Sequence, residues 1–254
     1  MARFSANLGF LWSALPLLER IERAAKSGFK AIELHWPYDT SPVAVKDACK
    51  RLGLTLLAAN TPLGNPGESG LAALPGREAD FQKVFIQSME WCLAAGATAI
   101  HVMPGVIEEH ERAAATQTMI NNLQWAADLA APKGMTLLLE AINPRDKPSY
   151  FYSTQAHSNA IREACGRSNI KLMFDVYHVG VAEGDILTKL ALYMPHIGHI
   201  QIAAVPSRAE PDEGEVNYPV VLKRIDELGY TGWIGAEYKP RATVEAGLGW
   251  LESL

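Results

Sequence analysis

Short apolar runs alternate with amphipathic stretches along this whole chain. The runs are bounded by turn residues and are typical of buried parallel strands. Between them, apolar positions recur every three or four residues, as on one face of a helix. The predicted strands are residues 4–8, 31–35, 54–59, 98–102, 135–140, 170–175, 197–202 and 233–237. The predicted helices are residues 15–26, 43–52, 81–93, 109–132, 154–166, 186–193, 218–228 and 244–254.

Strands and helices that alternate eight times predict an α/β fold, a closed parallel (β/α)8 or TIM barrel. The chain has 254 residues, close to the ~250 typical of this fold, and no change in composition marks a second domain. We therefore expect one domain over residues 1–254, with an extra C-terminal helix. An open, doubly wound sheet is the alternative, but no predicted strand is followed by the glycine-rich turn of a dinucleotide site.

One predicted connection is much longer than the others. Residues 60–76 follow the third strand and are rich in glycine and proline. A connection of this length is usually a lid or a binding loop, although a disordered surface excursion has the same composition. Leu63, Leu71 and Leu74 offer apolar anchors, so we expect an ordered flap. Glu68 within it is then a candidate substrate-binding residue.

Four of the later strands end on, or close to, an oxygen-bearing side chain: Glu140, Asp175, Gln201 and Glu237. The carboxyl ends of all the strands of a barrel meet at one mouth, where active sites of this fold lie. A single acidic residue there is often only the N-cap of the next helix. Four oxygen-bearing residues together predict a shared cation site. Carboxylate and amide oxygens without a thiolate favour Mg²⁺ or Mn²⁺ over zinc.

Two glutamates that face one substrate can move protons between its adjacent carbons. Glu140 and Glu237 are therefore the predicted catalytic pair. One would remove the proton next to a carbonyl, the metal would stabilise the developing enediolate, and the other would return a proton to the neighbouring carbon. This chemistry is an aldose-ketose-type isomerisation. If both groups faced a single carbon, the outcome would be epimerisation, and the sequence leaves both geometries open.

Further polar residues near these strand ends are candidates for substrate binding. Arg208 follows Gln201 in a loop, where its guanidinium could bind a substrate carboxylate or instead pair with Glu210 or Asp212. His178 comes three positions after Asp175, and a structural histidine is the alternative for it. Three more residues at or near strand ends are candidates to line the pocket: Glu33, Asn60 and His101.

Charge and cysteine content narrow the class of partner. Lys and Arg total 23 against 28 Asp and Glu, a net charge of −5, which favours a small polar substrate over nucleic acid. The three cysteines have neither zinc nor disulfide spacing. The first residues do not resemble a leader, and no stretch is apolar enough to predict a membrane span. We therefore expect a cytoplasmic protein without a membrane partner, and we expect a small homo-oligomer by analogy with other barrels.

Short segments spread over nearly the whole chain resemble one known family. The segments are NL at 7–8, LPGRE at 74–78, HVMPG at 101–105, LEAIN at 139–143, FDVYH at 174–178, HIQIA at 199–203, EGEVNY at 213–218, GWIGAEYKP at 232–240 and GLGW at 247–250. They resemble the hydroxypyruvate isomerase family, which belongs to the xylose isomerase-like TIM barrels and includes 2-oxo-tetronate isomerases.

The resemblance implies a divalent metal held by the four oxygen-bearing residues named above, with the two glutamates as proton donor and acceptor. In the related ketose 3-epimerases the third ligand is usually histidine, so Gln201 favours the branch in which hydroxypyruvate and tartronate semialdehyde (2-hydroxy-3-oxopropanoate) interconvert. Ala204 stands where many members carry aspartate, and Ser207 where glycine is common. Both positions lie in the expected substrate loop, so these departures affect the prediction of the exact substrate rather than the prediction of the reaction.

The sequence therefore predicts a metal-dependent isomerase of a short 2-oxo acid, with hydroxypyruvate as the favoured substrate. A 2-oxo-tetronate isomerase and a ketose 3-epimerase are the alternatives. A DNA-repair endonuclease of the same barrel type would be expected to use a histidine-rich multi-zinc cluster and a basic surface, which this chain lacks in its composition. A non-catalytic sugar-binding barrel is the remaining option.

Overall fold

The computed structural model describes residues 2–254, and within them eight parallel strands close into a barrel in the order β1 to β8. The strands are β1 Phe4–Asn7, β2 Ala31–Leu34, β3 Thr55–Asn60, β4 Ala99–His101, β5 Thr136–Glu140, β6 Ile170–Asp175, β7 Ile197–Ile202 and β8 Ile234–Ala236. The barrel closes where β8 pairs in parallel with β1, with Ser5 opposite Gly235. The predicted (β/α)8 barrel is confirmed.

Helices cover the outside of this barrel. They are α1 Leu17–Lys26, α2 Pro42–Leu52, α3 Glu78–Ala95, α4 Arg112–Ala130, α5 Gln155–Cys165, α6 Val176–Ala182, α7 Ile186–Tyr193, α8 Tyr218–Glu227, α9 Val244–Gly247 and α10 Trp250–Ser253. Across residues 2–254, every helix is too short or too polar to span a bilayer. Helix α6 was not predicted. The predicted C-terminal helix is present as two short helices, because Gly247 and Gly249 disfavour a continuous one.

Local sequence signals fix several helix ends. The Ser41 hydroxyl accepts a hydrogen bond from the Ala44 N–H at 3.5 Å at the start of α2, and the Thr154 hydroxyl accepts one from the His157 N–H at 3.2 Å at the start of α5. At the end of α2, Gly53 has a φ of 66°, the left-handed conformation in which glycine costs least. These capping residues therefore define where α2 and α5 begin and where α2 ends.

Side chains alternate between the two faces of each barrel strand, which places polar and apolar positions separately. On β5, Leu137 and Leu139 belong to the large core between strands and helices, whereas Leu138 packs inside the barrel with Ala58 and Met173. Full burial of one leucine side chain contributes roughly 1.5–3 kcal/mol, so this alternation strongly fixes the register. The same alternation points the side chain of Glu140, the last residue of β5, into the barrel.

The same alternation gives the barrel interior a polar side. The inward positions of β1, β2, β7 and β8 carry Ser5, Asn7, Glu33, His199, Gln201 and Gly235. Every one of these side chains other than glycine is at most 5% exposed. Below the strand ends, the interior is thus apolar next to β3–β6 and polar next to the other strands.

The long connection after β3 is ordered, as expected. The Ala73 N–H donates to the Pro104 carbonyl at 2.8 Å, and the Asn122 side-chain amide donates to the Ala72 carbonyl at 2.9 Å. Gly70 has a φ of 126°, and a side chain there would overlap the backbone of Met103. The flap is therefore held against the segment that follows β4, beside the mouth of the barrel.

Candidate active site

A cavity of about 410 Å³ opens at the carboxyl ends of the strands. Its lining from the strand ends and the loops after them includes His35, Asn60, His101, Glu140, His178 and Glu237. This is the mouth at which the sequence places the site, because the inward and terminal positions of several strands converge there.

A compact group of acidic residues and one histidine lies at the base of this cavity, where Glu140, His178 and Glu237 line it and Asp175 is buried beside them. One potential ligand atom from each of Glu140, Asp175, His178 and Glu237 lies within 4.8 Å of the others. Gln201 lies on the neighbouring strand directly opposite Asp175 in the β6–β7 register. The structure therefore brings Glu140, Asp175 and Glu237 together and places Gln201 on the strand next to Asp175.

Several oxygen atoms of this group are buried without a hydrogen-bond partner among residues 2–254. They are Oε1 of Glu140, Oδ2 of Asp175 and Oε1 of Gln201. A buried acceptor without a partner costs about 1–3 kcal/mol, and more when it is charged. A hard divalent cation satisfies such oxygens, and carboxylate and amide oxygens are the ligands that Mg²⁺ and Mn²⁺ prefer. The residues present thus fit the predicted metal.

Asp175 caps a helix, the alternative that the sequence offers for it, and still has one oxygen without a partner. Its Oδ1 accepts a hydrogen bond from the Tyr177 N–H at 2.8 Å and so caps helix α6, whereas its Oδ2 remains free. The cap fixes the rotamer of the side chain. Because the cap holds Oδ1 against the start of α6, it also fixes the position of Oδ2.

Burial and mutual repulsion perturb the pKa values of the acidic group. Burial, followed by the charge of Glu237, raises the pKa of Glu140 well above its usual range and that of Asp175 to about 7. Burial also raises the pKa of Glu237, but the hydrogen bond with His35 and the charge of Arg208 outweigh it and leave the pKa at about 2. Three carboxylates so close together favour a cation among them.

Glu237 is held by partners that the sequence analysis did not single out. Its Oε1 accepts a hydrogen bond from Asn7 Nδ2 at 2.9 Å and lies 3.1 Å from His35 Nε2. The Asn7 amide is itself oriented, because its Oδ1 accepts from the Gly9 N–H at 2.9 Å. Asn7 ends β1, and His35 directly follows β2. The same strand-end rule that identified the glutamates identifies these two residues.

His178 turns a ring nitrogen without a hydrogen-bond partner among residues 2–254 towards the acidic group. Its Nδ1 lies 3.3 Å from the Asn143 backbone N–H and 2.7 Å from the Asn143 side-chain amide, so Nδ1 accepts. Burial and then the charge of Arg208 lower its pKa to about 3, which leaves the ring neutral with its proton on Nε2. Nε2 lies 3.5 Å from Asp175 Oδ2 and 3.7 Å from Glu140 Oε1. A protonated Nε2 cannot bind a metal but can donate to a substrate oxygen.

Arg208 supplies positive charge at the same mouth. Its Nη2 donates to Glu237 Oε2 at 2.8 Å, and its Nη1 donates to Asp146 Oδ2 at 3.2 Å. The guanidinium carbon lies 4.7 Å from the centre of the Phe10 ring and 4.9 Å from that of Tyr177. Two rings and two carboxylates thus hold a planar cation in one orientation, which suits recognition of a carboxylate.

The alternative partners that the sequence offers for Arg208 are engaged elsewhere. Glu210 and Asp212 both pair with Arg241, at 2.9 Å and 2.7 Å respectively. The reading of Arg208 as a solvated loop arginine paired with these residues is therefore wrong.

Lysines add to the positive rim of the cavity. Lys147 and Lys239 both line it with Arg208, and Lys147 Nζ donates to Ser69 Oγ of the flap at 3.1 Å. A rim of cations over an acidic floor suits a ligand that carries a carboxylate at one end and oxygen donors at the other.

The other predicted residues take different places. His101 lines the cavity, with Nδ1 3.5 Å from Glu140 Oε2, and burial lowers its pKa to about 4. Asn60 also lines the cavity. Glu33 points into the barrel just before the end of β2 and does not border the cavity. Its carboxylate accepts a hydrogen bond from the Gln201 side chain at 2.9 Å.

Glu68 is not brought to the acidic group. Its carboxylate bonds Arg77 and the Asn65 backbone and side chain within the flap, and it does not line the cavity. These contacts stabilise the turn at the tip of the flap. The prediction that Glu68 binds substrate has no support from this position.

Comparison with known proteins adds matches over nearly the full chain. The family model for the xylose isomerase-like TIM barrel matches residues 21–254. A 2-oxo-tetronate isomerase of Cupriavidus necator is 45% identical over 255 residues, 99% of this chain and 98% of the relative. A hydroxypyruvate isomerase of Escherichia coli is 35% identical over 257 residues, 99% of each chain. The crystal structure of an AP endonuclease, family 2, from Brucella melitensis has a TM-score of 0.97 at 37% identity and covers 100% of this chain and 99% of that one.

Proposed function

Because this chain belongs to the xylose isomerase-like TIM-barrel family, and within it to the branch of the hydroxypyruvate and 2-oxo-tetronate isomerases, we propose that it moves the carbonyl group of a short 2-oxo acid between C2 and C3. The resemblance seen in the sequence is confirmed. One observation carries the proposal: Glu140 and Glu237 lie on separate strands in one buried group with Asp175, beside oxygens that lack a partner among the described residues.

The metal in this proposal is held by Glu140, Asp175 and Gln201, each of which has a buried oxygen without a partner among residues 2–254, and by Glu237, whose carboxylate lies in the same group. When bound, Mg²⁺ or Mn²⁺ supplies a Lewis acid that withdraws charge from the substrate oxygens. His178 does not join the ligands, because its Nε2 carries a proton. Gln201 rather than His178 therefore completes the set.

The two glutamates carry the proton transfer. One carboxylate removes the proton from C3, and the electrons of that bond form an enediolate across C2 and C3. The other glutamate delivers a proton to C2, while the C3 hydroxyl loses its proton and becomes the new carbonyl. Hydroxypyruvate then gives tartronate semialdehyde, and 2-oxo-tetronate gives its 3-oxo isomer. The balance is one proton moved from C3 to C2 and one moved from the C3 oxygen to the C2 oxygen.

The remaining residues of the cavity bind and orient the substrate in this proposal. The Nε2–H of His178 donates to a substrate oxygen next to the glutamates, and Arg208 binds the C1 carboxylate through its planar fork. His101 fixes Glu140 from the other side. Lys147 and Lys239 raise the local concentration of anionic substrate.

The comparisons shift the choice between the two substrates. The sequence favours hydroxypyruvate, but the 2-oxo-tetronate isomerase of C. necator is the more similar of the two named relatives, at 45% against 35% identity. Both acids share C1 to C3, on which all the chemistry takes place, and a cavity of about 410 Å³ has room for either. We therefore propose 2-oxo-tetronate first and hydroxypyruvate second.

The test is a metal-dependent turnover assay followed by NMR. Protein stripped with EDTA is assayed with each acid before and after addition of Mg²⁺ or Mn²⁺, and D-fructose serves as an uncharged ketose. We expect isomerisation of at least one acid only with metal, and no C3 epimer of fructose. Glu140→Gln and Glu237→Gln should each abolish turnover, whereas Glu90→Gln on the exposed surface of α3 should not. Full activity in either active-site variant would refute the roles of the glutamates.

The endonuclease named for the Brucella protein is not the function that this site supports. Within residues 2–254, the acidic group is the one cluster of three or more His, Cys, Asp or Glu residues placed to hold a metal. It contains one histidine, and the whole chain has a net charge of −5. Among the described residues no second cluster is placed to hold further metal ions, and a negative net charge disfavours a nucleic-acid backbone as the ligand. Cleavage of a duplex that contains an abasic site would contradict this conclusion.

A further inference from the structure

A buried carboxylate lies directly below the proposed metal ligands. Glu33 projects from β2 into the barrel and is 3% exposed. A carboxyl group in the barrel interior costs free energy unless hydrogen bonds satisfy it, so its presence there needs a physical reason. The proton transfer described above does not use it, and it does not line the cavity.

The donors around Glu33 come from both sides of the barrel interior. Ser5 Oγ donates to its Oε1 at 3.4 Å. His199 Nε2 and Gln201 Nε2 both lie against its Oε2, at 3.0 Å and 2.9 Å. The carboxylate therefore reaches from β2 across the interior to β7, the strand that carries Gln201.

This contact decides which end of the Gln201 amide faces away from Glu33. A glutamine side chain presents an NH₂ group, which donates, and an oxygen, which accepts. In the structure the NH₂ group faces Glu33, because Nε2 donates to Glu33 Oε2 at 2.9 Å, and the oxygen therefore faces the other way. That oxygen is buried without a partner among residues 2–254. In the reversed orientation, the NH₂ group would take its place, and an NH₂ group cannot bind a cation.

The space for this contact exists because position 235 is glycine. A side chain there would overlap Glu33 Oε1 and would lie 2.9 Å from Gln201 Cγ. Gly235 stands directly opposite Gln201 in the β7–β8 register. The absence of a side chain on β8 thus lets the carboxylate reach the amide on β7.

We propose that Glu33 is a positioning residue that orients the amide of Gln201 so that its oxygen, and not its NH₂ group, is presented to the divalent metal. This inference rests on the metal site of the proposed function. It explains why a carboxylate that does not line the cavity is kept in the interior. It also explains how an amide, which has two chemically opposite ends, serves as a metal ligand in a defined orientation.

The test measures Mn²⁺ binding to the metal-free protein by isothermal titration calorimetry, independently of turnover. In Glu33→Gln, the amide introduced at position 33 can accept or donate, so the Gln201 amide loses its fixed orientation. We expect Mn²⁺ affinity to fall about 10–100-fold, the usual effect of losing a partner that orients a ligand. Ser5→Ala is the matched control, because Ser5 contacts Glu33 but not Gln201. It should change the affinity by less than about threefold.

A charge-conserving exchange separates orientation from a merely structural role. In the double variant Glu33→Gln/Gln201→Glu, the amide at position 33 donates to the carboxylate at position 201, which still has a free oxygen for the metal. We expect Mn²⁺ affinity to return to within about threefold of the wild type, because neither the net charge nor the hydrogen bond is lost. A structural requirement for glutamate at position 33 predicts no such recovery. If Glu33→Gln does not fold, the double variant alone decides, since it must then fold and bind Mn²⁺.

Wild-type affinity in Glu33→Gln, or no recovery in a folded double variant, would overturn the inference. These outcomes differ from a failure of the proposed reaction. Mn²⁺ binding without isomerisation of either acid would refute the proposed reaction. The positioning role of Glu33 could still be tested, because it is measured from the Mn²⁺ affinities of the variants. A wild-type protein that does not bind Mn²⁺ would refute the metal site, and the inference would fall with it.

Discussion

Arg208 offers the most direct test of how the site is held, through the substitution Arg208→Lys. The arginine spans Glu237 at 2.8 Å and Asp146 at 3.2 Å, and its side chain is only 12% exposed. A lysine ammonium keeps the positive charge but cannot bond both carboxylates through one planar group, nor stack flat between two rings. Loss of one charge-assisted hydrogen bond costs about 1.5–3 kcal/mol, and the stacking adds roughly 0.5–1 kcal/mol. Asp146 is partly exposed, which places the total near the lower end, at about 2–3 kcal/mol.

The assay is urea denaturation in EDTA, which measures the free energy of unfolding without a metal contribution. Arg51→Lys is the matched control, because Arg51 forms a surface pair with Glu22 at 3.1 Å with both side chains well exposed. The control should change stability by less than about 0.5 kcal/mol. Equal stability of Arg208→Lys and the wild type would refute the reasoning that two carboxylates and two rings hold this cation.

The same variant also tests substrate recognition. If Arg208 binds the substrate carboxylate through its fork, kcat/KM for the 2-oxo acid should fall by about 10–150-fold, the equivalent of 1.5–3 kcal/mol. An unchanged kcat/KM in a folded, metal-loaded variant would remove Arg208 from the substrate site.

Further predictions concern a histidine anchor, the metal and the thiols. Asn143→Ala removes the side chain that bonds Nδ1 of His178, so kcat/KM should fall about tenfold in steady-state assays, and unchanged kinetics would show that this anchor is dispensable. Mn²⁺ at about 100 times its dissociation constant should add about 2.7 kcal/mol of stability and raise Tm by roughly 5–10 °C, a shift that Asp175→Asn should largely remove in a thermal-unfolding assay. Burial raises the pKa of the Cys92 thiol to about 12, so at about pH 8 it should stay protonated and unreactive towards a thiol reagent until the protein unfolds or the pH approaches that value. Rapid modification of Cys92 in folded protein near pH 8 would contradict its burial.

A residue can be both a cap and a ligand, so local sequence rules need not compete. Asp175 caps α6 with one oxygen and leaves the other free towards Glu140 and His178. The cap stabilises the helix by roughly 1 kcal/mol and also fixes the direction of the free oxygen. The sequence could not choose between the cap and the proposed ligand, because one carboxylate has an oxygen for each.

The polar interior of the barrel is best understood as two levels. The upper level contains the proposed ligands, and the level below contains Glu33, which bonds Ser5, His199 and Gln201. Because Glu33 is the member of this level that bonds a proposed ligand, its loss should appear as weaker metal binding before it appears as a changed reaction. Whether metal affinity or the reaction is affected first therefore distinguishes residues that orient a metal ligand from residues that contact the substrate.

The sequence alone determined the barrel and the set of oxygen-bearing strand ends. Alternating apolar runs and helical periodicity predicted the strands, and the meeting of strand ends at one mouth predicted that Glu140, Asp175, Gln201 and Glu237 converge. These features depend on local periodicity and on a general property of the fold. Neither the local periodicity nor the position of the strand ends requires knowledge of contacts between distant residues.

The partners of those residues, by contrast, are visible only in the folded protein. It showed that Glu33 lies below the site and bonds Gln201, that Glu68 stays within the flap on Arg77, and that Asn143 fixes the proton of His178 on the nitrogen facing the acids. Each of these contacts joins residues that are not neighbours in the chain, and a side chain's partner depends on rotamer and distance. Periodicity specifies which way a residue faces, but it carries no information about what that residue will meet there.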